Sequence, residues 1–414
     1  MNNPIVRRIT ATLFASQSLA QVALTAALTV GPIAAKRISG SPSLAGLPTT
    51  ILLLGTAAAA YPAGRFMDRF GRRNGLGLGF ASSLIGGAIS ALALIVNSFI
   101  FLLIGFALMG FGRGAIDQGR FAAAEVVPPE GRARAVSWFV LGGTVGGIGG
   151  PLVVGPMGRL VAQFNLPELS GPYLAAAALF LVGRLVIFIL LRPDPRDIAR
   201  QIAVEAQGAE RRLADSPARS FGEIIRVRRA QVAMAAMILG QFVMVSVMVI
   251  TPLHMTDHQQ SLDAVSWVIA AHVFGMFALS VVSGRVADTY GRGTAIAVGS
   301  LVLLASCILA PLAQTPLTLG LALFLLGMGW NFCYVAGSSL LADVLRPSER
   351  GRVQGTNDLI VGLTSASGSL GSGLIFGAVG YAAIAVVGMG LALSLLTFSA
   401  FLGRPHLAES ASMD

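Results

Sequence analysis

Charge is scarce in this chain. Asp, Glu, Lys and Arg make up 12% of its 414 residues against 55% hydrophobic ones, and the mean hydropathy is +0.76. A soluble domain carries about twice that share of charge, so a water-soluble enzyme is excluded. No Walker-type phosphate loop, HExxH zinc motif or nucleophile elbow occurs, so nothing points to ATP hydrolysis or covalent catalysis. The two cysteines, Cys307 and Cys333, stand in apolar runs without metal-ligand spacing, which reads as buried packing rather than redox or zinc chemistry. Glycine has no collagen period, and the apolar excess excludes disorder. No cofactor is expected.

What is present suits a membrane. The 50 glycines and 19 prolines fit packed lipid-phase helices, where glycine lets backbones approach and proline is tolerated. About twelve apolar segments have the roughly 20-residue length of a bilayer core. They lie near 9–35, 45–66, 75–96, 98–124, 136–159, 172–191, 230–254, 264–286, 294–313, 316–343, 355–378 and 380–402, and are numbered here as spans 1 to 12. Arg7 and Arg8 precede span 1, which is too long for a signal-peptide core, so no cleaved leader is expected. The net charge of +10 lies between the spans, which argues against a nucleic-acid partner. Most basic residues fall in alternate connections and tails, while the opposite connections hold Lys36, Arg37 and Arg159. The positive-inside rule then puts both termini and the central linker in the cytoplasm and the chain in the inner membrane.

The chain also repeats itself. Shifting by 220 residues matches Gln21 with Gln241, Pro32 with Pro252, Gly55 with Gly275, Gly64 with Gly284, Asp68 with Asp288, Gly71 with Gly291 and Arg72 with Arg292. At a shift of 218, Pro129, Arg132 and Arg134 meet Pro347, Arg350 and Arg352, and Gly150 and Gly155 meet Gly368 and Gly373. A six-plus-six duplication with an even number of spans per half gives both halves the same topology, related by an axis along the membrane normal. The expected organisation is a bundle over 1–192, a cytoplasmic linker over 193–229, and a second bundle with a short tail over 230–414.

Between spans 2 and 3, Gly64-Arg-Phe-Met-Asp68-Arg69-Phe-Gly71-Arg72-Arg73 resembles the GxxxDRxGRR signature of the major facilitator superfamily. A weaker copy, Gly284-Arg-Val-Ala-Asp288-Thr-Tyr-Gly291-Arg292, occupies the matching place in the second half. The resemblance implies an all-helical, twelve-span transporter whose two six-helix halves rock about a midplane site, acting on a small-molecule substrate as a monomer. It further implies that Asp68 meets the start of span 11, near Gly355 to Asp358. In span 5, Gly146-x-x-x-Gly150-Pro151-x-x-x-Gly155 resembles the glycine-proline motif of the exporter branch, although small residues at this spacing also serve plain helix packing. The proton-coupled exporters carry an arginine early in span 4, where this chain has Phe106.

Span 4 instead carries Arg113, Asp117 and Arg120, whose spacing puts them on one helical face near the midplane. Ionisable groups there cost about 2.5–3.5 kcal/mol each, so they face a cavity or one another. Two readings stay open: an internal Arg113–Asp117 ion pair that fixes packing, or a site where Arg113 attracts an anionic group and Asp117 neutralises it or exchanges a proton. His272, near the middle of span 8, reads as a proton acceptor or an interhelix hydrogen-bond partner. His254, Asp257 and His258 form a loop cluster with no third ligand at tetrahedral spacing. Asp358 reads as a charge at a helix start or a proton carrier. The expected function is proton-linked export of a drug or metabolite; the alternatives are uptake or exchange of an anionic metabolite through Arg113, and a non-transporting receptor on the same fold.

Overall fold

A computed structural model describes residues 4–127, 132–199 and 219–402. In lipid every backbone N–H and C=O needs an internal partner, and among the described residues the regular elements are all helical. Among the described residues, twelve helical segments are long and apolar enough to cross a membrane: Pro4–Ser39, Pro42–Phe70, Arg72–Ile95, Phe99–Glu125, Ala135–Leu152 and Ser170–Leu190 in the first half, then Arg228–Asp257, Leu262–Tyr290, Arg292–Leu312, Pro316–Val344, Val353–Val379 and Tyr381–Ala400. These are spans 1 to 12. The linker stretch 200–218 and the tail from 403, with His406, lie outside the described residues.

Local chemistry sets several helix starts. The Ser98 hydroxyl accepts from Phe101 N, and the Ser261 hydroxyl from Ala264 N. Thr315 caps span 10 through Thr318 N, with Pro316 in the first turn where its missing N–H costs nothing. Span 5 departs from the expected single helix over 136–159. It pauses after Leu152, behind Pro151, and resumes as Val154–Ala162.

Packing within each half relies on glycine, because lipid gives helices no hydrophobic reason to associate. A Cβ on Gly55 would press on Ala107 O and Phe111 N of span 4; one on its repeat mate Gly275 would press on Phe324 O and Met328 N of span 10. These equivalent crossings fix the register of the duplication in three dimensions. Buried apolar side chains fall into two clusters, one from spans 1 to 6 and one from spans 7 to 12, the latter joined by Ala45 of span 2.

The segment entering the second half is tied down by a buried carboxylate. Glu349, between spans 10 and 11, accepts from Arg219 N at 2.8 Å, Arg219 Nε at 2.9 Å, Arg219 Nη2 at 2.7 Å and Arg346 N at 3.0 Å. The Arg219 hydrogen bonds hold its carboxyl far below the usual range. Such a group stabilises the fold above its unfolded pKa of about 4.3 and loses that contribution as pH falls below it. Glu349→Gln is therefore expected to lower the thermal midpoint by several degrees at pH 7, with the gap to wild type closing below about pH 4. Equal midpoints at pH 7 would show that the cluster holds nothing.

Candidate functional site

The motif between spans 2 and 3 turns on Gly71, whose φ of 95° is matched by φ 92° at Gly291. Both positions need glycine because an L side chain is strained there. Arg72 binds Asp68 at 3.0 Å and Glu125, at the end of span 4, at 2.5 Å. Arg292 binds Asp288 at 2.7 Å and Asp343, at the end of span 10, at 3.3 Å. The second copy, weaker in sequence, keeps the whole charge triad. Asp194, beyond span 6, caps span 3 by accepting from Arg72 N and Arg73 N, each at 3.0 Å. Arg69 stacks over Phe70. Sequence reading passed over Glu125, Asp343 and Asp194, although Glu125 and Asp343 match at the 218 shift.

The expected contact of Asp68 with the start of span 11 is not made in this conformation. Asp68 is 70% exposed and its ion-pair partner among the described residues is Arg72. A Cβ on Gly64, Gly284, Gly355 or Gly362 would meet nothing within 4 Å. The physical reason is that the halves stand apart on this basic side and touch on the other.

That opposite side is closed by three sets of contacts. Lys36 at the end of span 1 pairs with Asp257 at the end of span 7 at 2.6 Å, and Arg159 after span 5 pairs with Asp263 at the start of span 8. Ser369 Oγ of span 11 donates to Gly46 O at 2.8 Å, and Thr50 Oγ1 of span 2 donates to Ala366 O at 3.2 Å. The span 5 glycines supply close approach: Gly146 and Gly150 lie against Ser18, Val22 and Thr25 of span 1, and Gly155 lies against Asp263 of the other half. Their mates repeat the division of labour, Gly368 against span 7 and Gly373 against Ser43 and Gly46 of the other half. The His254, Asp257 and His258 cluster is committed elsewhere: His254 stacks on Tyr381 at 4.2 Å and Asp257 takes Lys36.

Span 4 holds the charged residues, but not as one continuous helix. It runs as Phe99–Ile116 and Gly119–Glu125, with i→i−3 hydrogen bonds at Gln118, Arg120 and Phe121 tightening the turn between. Glycine spacing favours this, since Gly110 and Gly114 wedge against span 2 while Gly112 wedges against Gly79 and Ser83 of span 3. Arg113 Nε and Asp117 Oδ2 stand 3.5 Å apart, 32% and 41% exposed. They line a cavity of about 10 Å³, room for one water-sized molecule, with Gln17, Gln21, Ser83 and Phe180. Gln17 Oε1 and Ser83 Oγ are buried without a partner among the described residues. Arg120 departs from the expected shared face: it is exposed and lies over the Phe121 ring.

In the second half Gln241 does not copy Gln21. Its Nε2 donates to Ser365 Oγ at 2.9 Å and its Oε1 accepts from Trp330 Nε1 at 2.6 Å. Trp330 stacks on Tyr334 with centroids 5.0 Å apart. His272 is fully buried between spans 8 and 10; its Nδ1 bonds Leu323 O at 2.9 Å, and its Nε2 has no partner among the described residues. It does not line the cavity beside Arg113 and Asp117. Among the described residues no group of three or more His, Cys, Asp or Glu is placed to hold a metal.

Comparison with known proteins agrees with this geometry. The profile of the Major Facilitator Superfamily matches residues 13–261 and again 232–412. An uncharacterized MFS-type transporter of Bacillus subtilis, YdeG, is 36% identical over 92% of this chain and 88% of its own. The riboflavin transporter RfnT of Brucella anthropi is 30% identical over 91% of each. A solved bacterial homolog of the human lysosomal transporter Spinster, inward-facing and occupied, superposes with a TM-score of 0.71 at 16% identity, over 97% of this chain and 96% of that one. A doubled family profile, long full-length relatives and a twelve-helix two-half fold leave one assignment: this multi-pass membrane protein is not an enzyme and belongs to the Major Facilitator Superfamily of transporters.

Proposed function

We propose that this protein exports a small organic solute, a drug or metabolite, across the cytoplasmic membrane by alternating access, in exchange for protons. The observation that carries the reading is the asymmetry of closure. The halves are latched through Lys36–Asp257, Arg159–Asp263 and the span 2–span 11 contact, while the basic side is open and Arg113 and Asp117 remain accessible. With that side cytoplasmic by the positive-inside rule, this is the state in which an exported solute loads or an imported one leaves, and the export direction rests on the exporter-like span 5 motif of Gly146, Gly150, Pro151 and Gly155. Binding of solute and proton at one midplane site, followed by rocking of the halves, couples the two fluxes.

Asp117 is the favoured proton carrier. It is accessible, sits at a helix break, and is only loosely paired at 3.5 Å. His272 is sealed between helices and already engaged by Leu323 O. His272→Gln is accordingly expected to keep the pH profile of transport and lose thermal stability. A flattened pH profile in that variant would return the proton to His272. A second reading, uptake or exchange of an anionic metabolite, is favoured by the accessible Arg113 guanidinium, which Asp117 holds only loosely at 3.5 Å. Riboflavin, carried by the Brucella relative, is a first candidate solute for the export reading. Inside-out vesicles with and without an imposed pH gradient test the whole: gradient-dependent accumulation of a panel solute supports proton-linked export, and gradient-independent exchange of anions supports the second reading.

Asp68→Asn tests the switch. The contact with span 11 that the family resemblance implies belongs to the state closed on the basic side, so this variant should insert normally yet turn over several-fold more slowly. Wild-type turnover at equal expression would remove Asp68 from the switch. Asp288→Asn is expected to be milder, since Thr289 replaces the neighbouring arginine there.

A further inference from the structure

The crossings of Gly55 on Ala107 and Phe111, and of Gly275 on Phe324 and Met328, set span 4 and span 10 in register. In that register Arg113 and Asp117 correspond to Trp330 and Tyr334. The pseudo-twofold axis therefore puts a charged pair and an aromatic pair at one depth, on opposite halves. Each is backed by the matching glutamine: Gln21 lines the cavity with Arg113 and Asp117, and Gln241 holds the Trp330 indole.

Trp330 is out of place for a membrane tryptophan. Trp138 and Trp267 lie near the ends of spans 5 and 8 and are 41% and 68% exposed, as expected of rings at the membrane interface. Trp330 stands midway along Pro316–Val344 and is half-buried. Its N–H is consumed by Gln241 at 2.6 Å, and Phe277 meets it edge-on at 6.2 Å. Its anchor Gln241 is the repeat mate of the cavity-lining Gln21 and also donates to Ser365 of span 11, so the aromatic pair borders the space between the halves rather than lipid. Helix packing alone would not require a tryptophan, its hydrogen-bond anchor and a stacked tyrosine at the position where the other half keeps its charges.

We propose that Trp330 and Tyr334 form a stacking face, and that Arg113 and Asp117 opposite take the polar edge, so that the solute is a planar, ring-bearing molecule with a hydrogen-bonding or anionic edge. A ring added to the Trp330–Tyr334 stack gains dispersion and quadrupole complementarity. The charged pair then fixes which edge points to the first half. This deepens the transport reading and rests on it for the meaning of the site, but not for its test.

The test reads binding without transport. The full chain in lipid nanodiscs is dialysed to equilibrium against riboflavin, a fused ring with a polar edge; quinoline-2-carboxylate, a fused ring with an anionic edge; and ribitol, polar without a ring. At least one ring compound is expected to bind saturably below about 1 mM while ribitol does not. Trp330→Leu should weaken that binding about tenfold and Trp330→Phe less than threefold, both with near-normal thermal midpoints. Arg113→Gln should weaken quinoline-2-carboxylate more than riboflavin. Absence of binding by both ring compounds overturns the proposal, as does binding indifferent to Trp330→Leu. Trp330-dependent binding without flux in proteoliposomes would instead sink the transport reading and leave the stacking face standing.

Discussion

Neutralising Arg113 and Asp117 together is expected to leave a stable protein that no longer transports. The magnitudes make the case. A fully buried ion pair broken on one side costs about 3–5 kcal/mol, whereas an accessible one is worth about 0.2–1 kcal/mol. At 3.5 Å separation and with 32% and 41% of the side chains exposed, this pair belongs near the second figure. Arg113→Gln and Asp117→Asn should each shift the thermal midpoint by no more than a few degrees, and each should lower transport at least tenfold. If the pair were a packing staple, the single changes would destabilise strongly and the double change would restore both stability and transport. Thermal unfolding and vesicle flux on the two singles and the double separate these outcomes. Full transport in the double would end the case for a site in span 4.

Removing both latches, as Asp257→Asn with Asp263→Asn, should depopulate the conformation described here. Each pair is part-exposed and worth about 0.2–1 kcal/mol, so the two together shift the equilibrium between the open states by about twofold to about thirtyfold. Spin labels at Ser39 and Gln259, in a background with Cys307 and Cys333 replaced, should report a longer distance across the sealed side. High salt should mimic the double change, because accessible pairs are screened. The swap Lys36→Asp with Asp257→Lys in the presence of Arg159–Asp263 should recover the wild-type distance, which identifies the force as Coulombic. An unchanged distance in the double variant would leave the seal to the backbone contacts of Gly46, Gly373 and Ser369.

Twelve spans, their duplication and the segregation of basic residues were legible in the chain itself. A bilayer forces every apolar segment of about 20 residues to satisfy its own backbone, and the only local solution is a helix. The register of the repeat was readable for the same reason that the glycines and the Asp68–Arg72 turn recur: a backbone crossing or a positive φ tolerates few residue types. Helix rotation was not readable. A segment that is apolar on all sides has no face that marks its interior, so spacing alone set Arg120 with Arg113 and Asp117, and made His272 a candidate for the cavity. Only the packed helices broke span 4 at Asp117, turned His272 into the seam with Leu323, and brought Glu125 to Arg72 and Lys36 to Asp257. The match of Trp330 and Tyr334 with Arg113 and Asp117 needed the same information, because it rests on which helix crosses which at Gly55 and Gly275. Tertiary structure also decided the state of the switch. In this conformation the Lys36–Asp257 latch is closed while Asp68 stands exposed beside Arg72, because the state of a two-half fold depends on which faces of the halves meet.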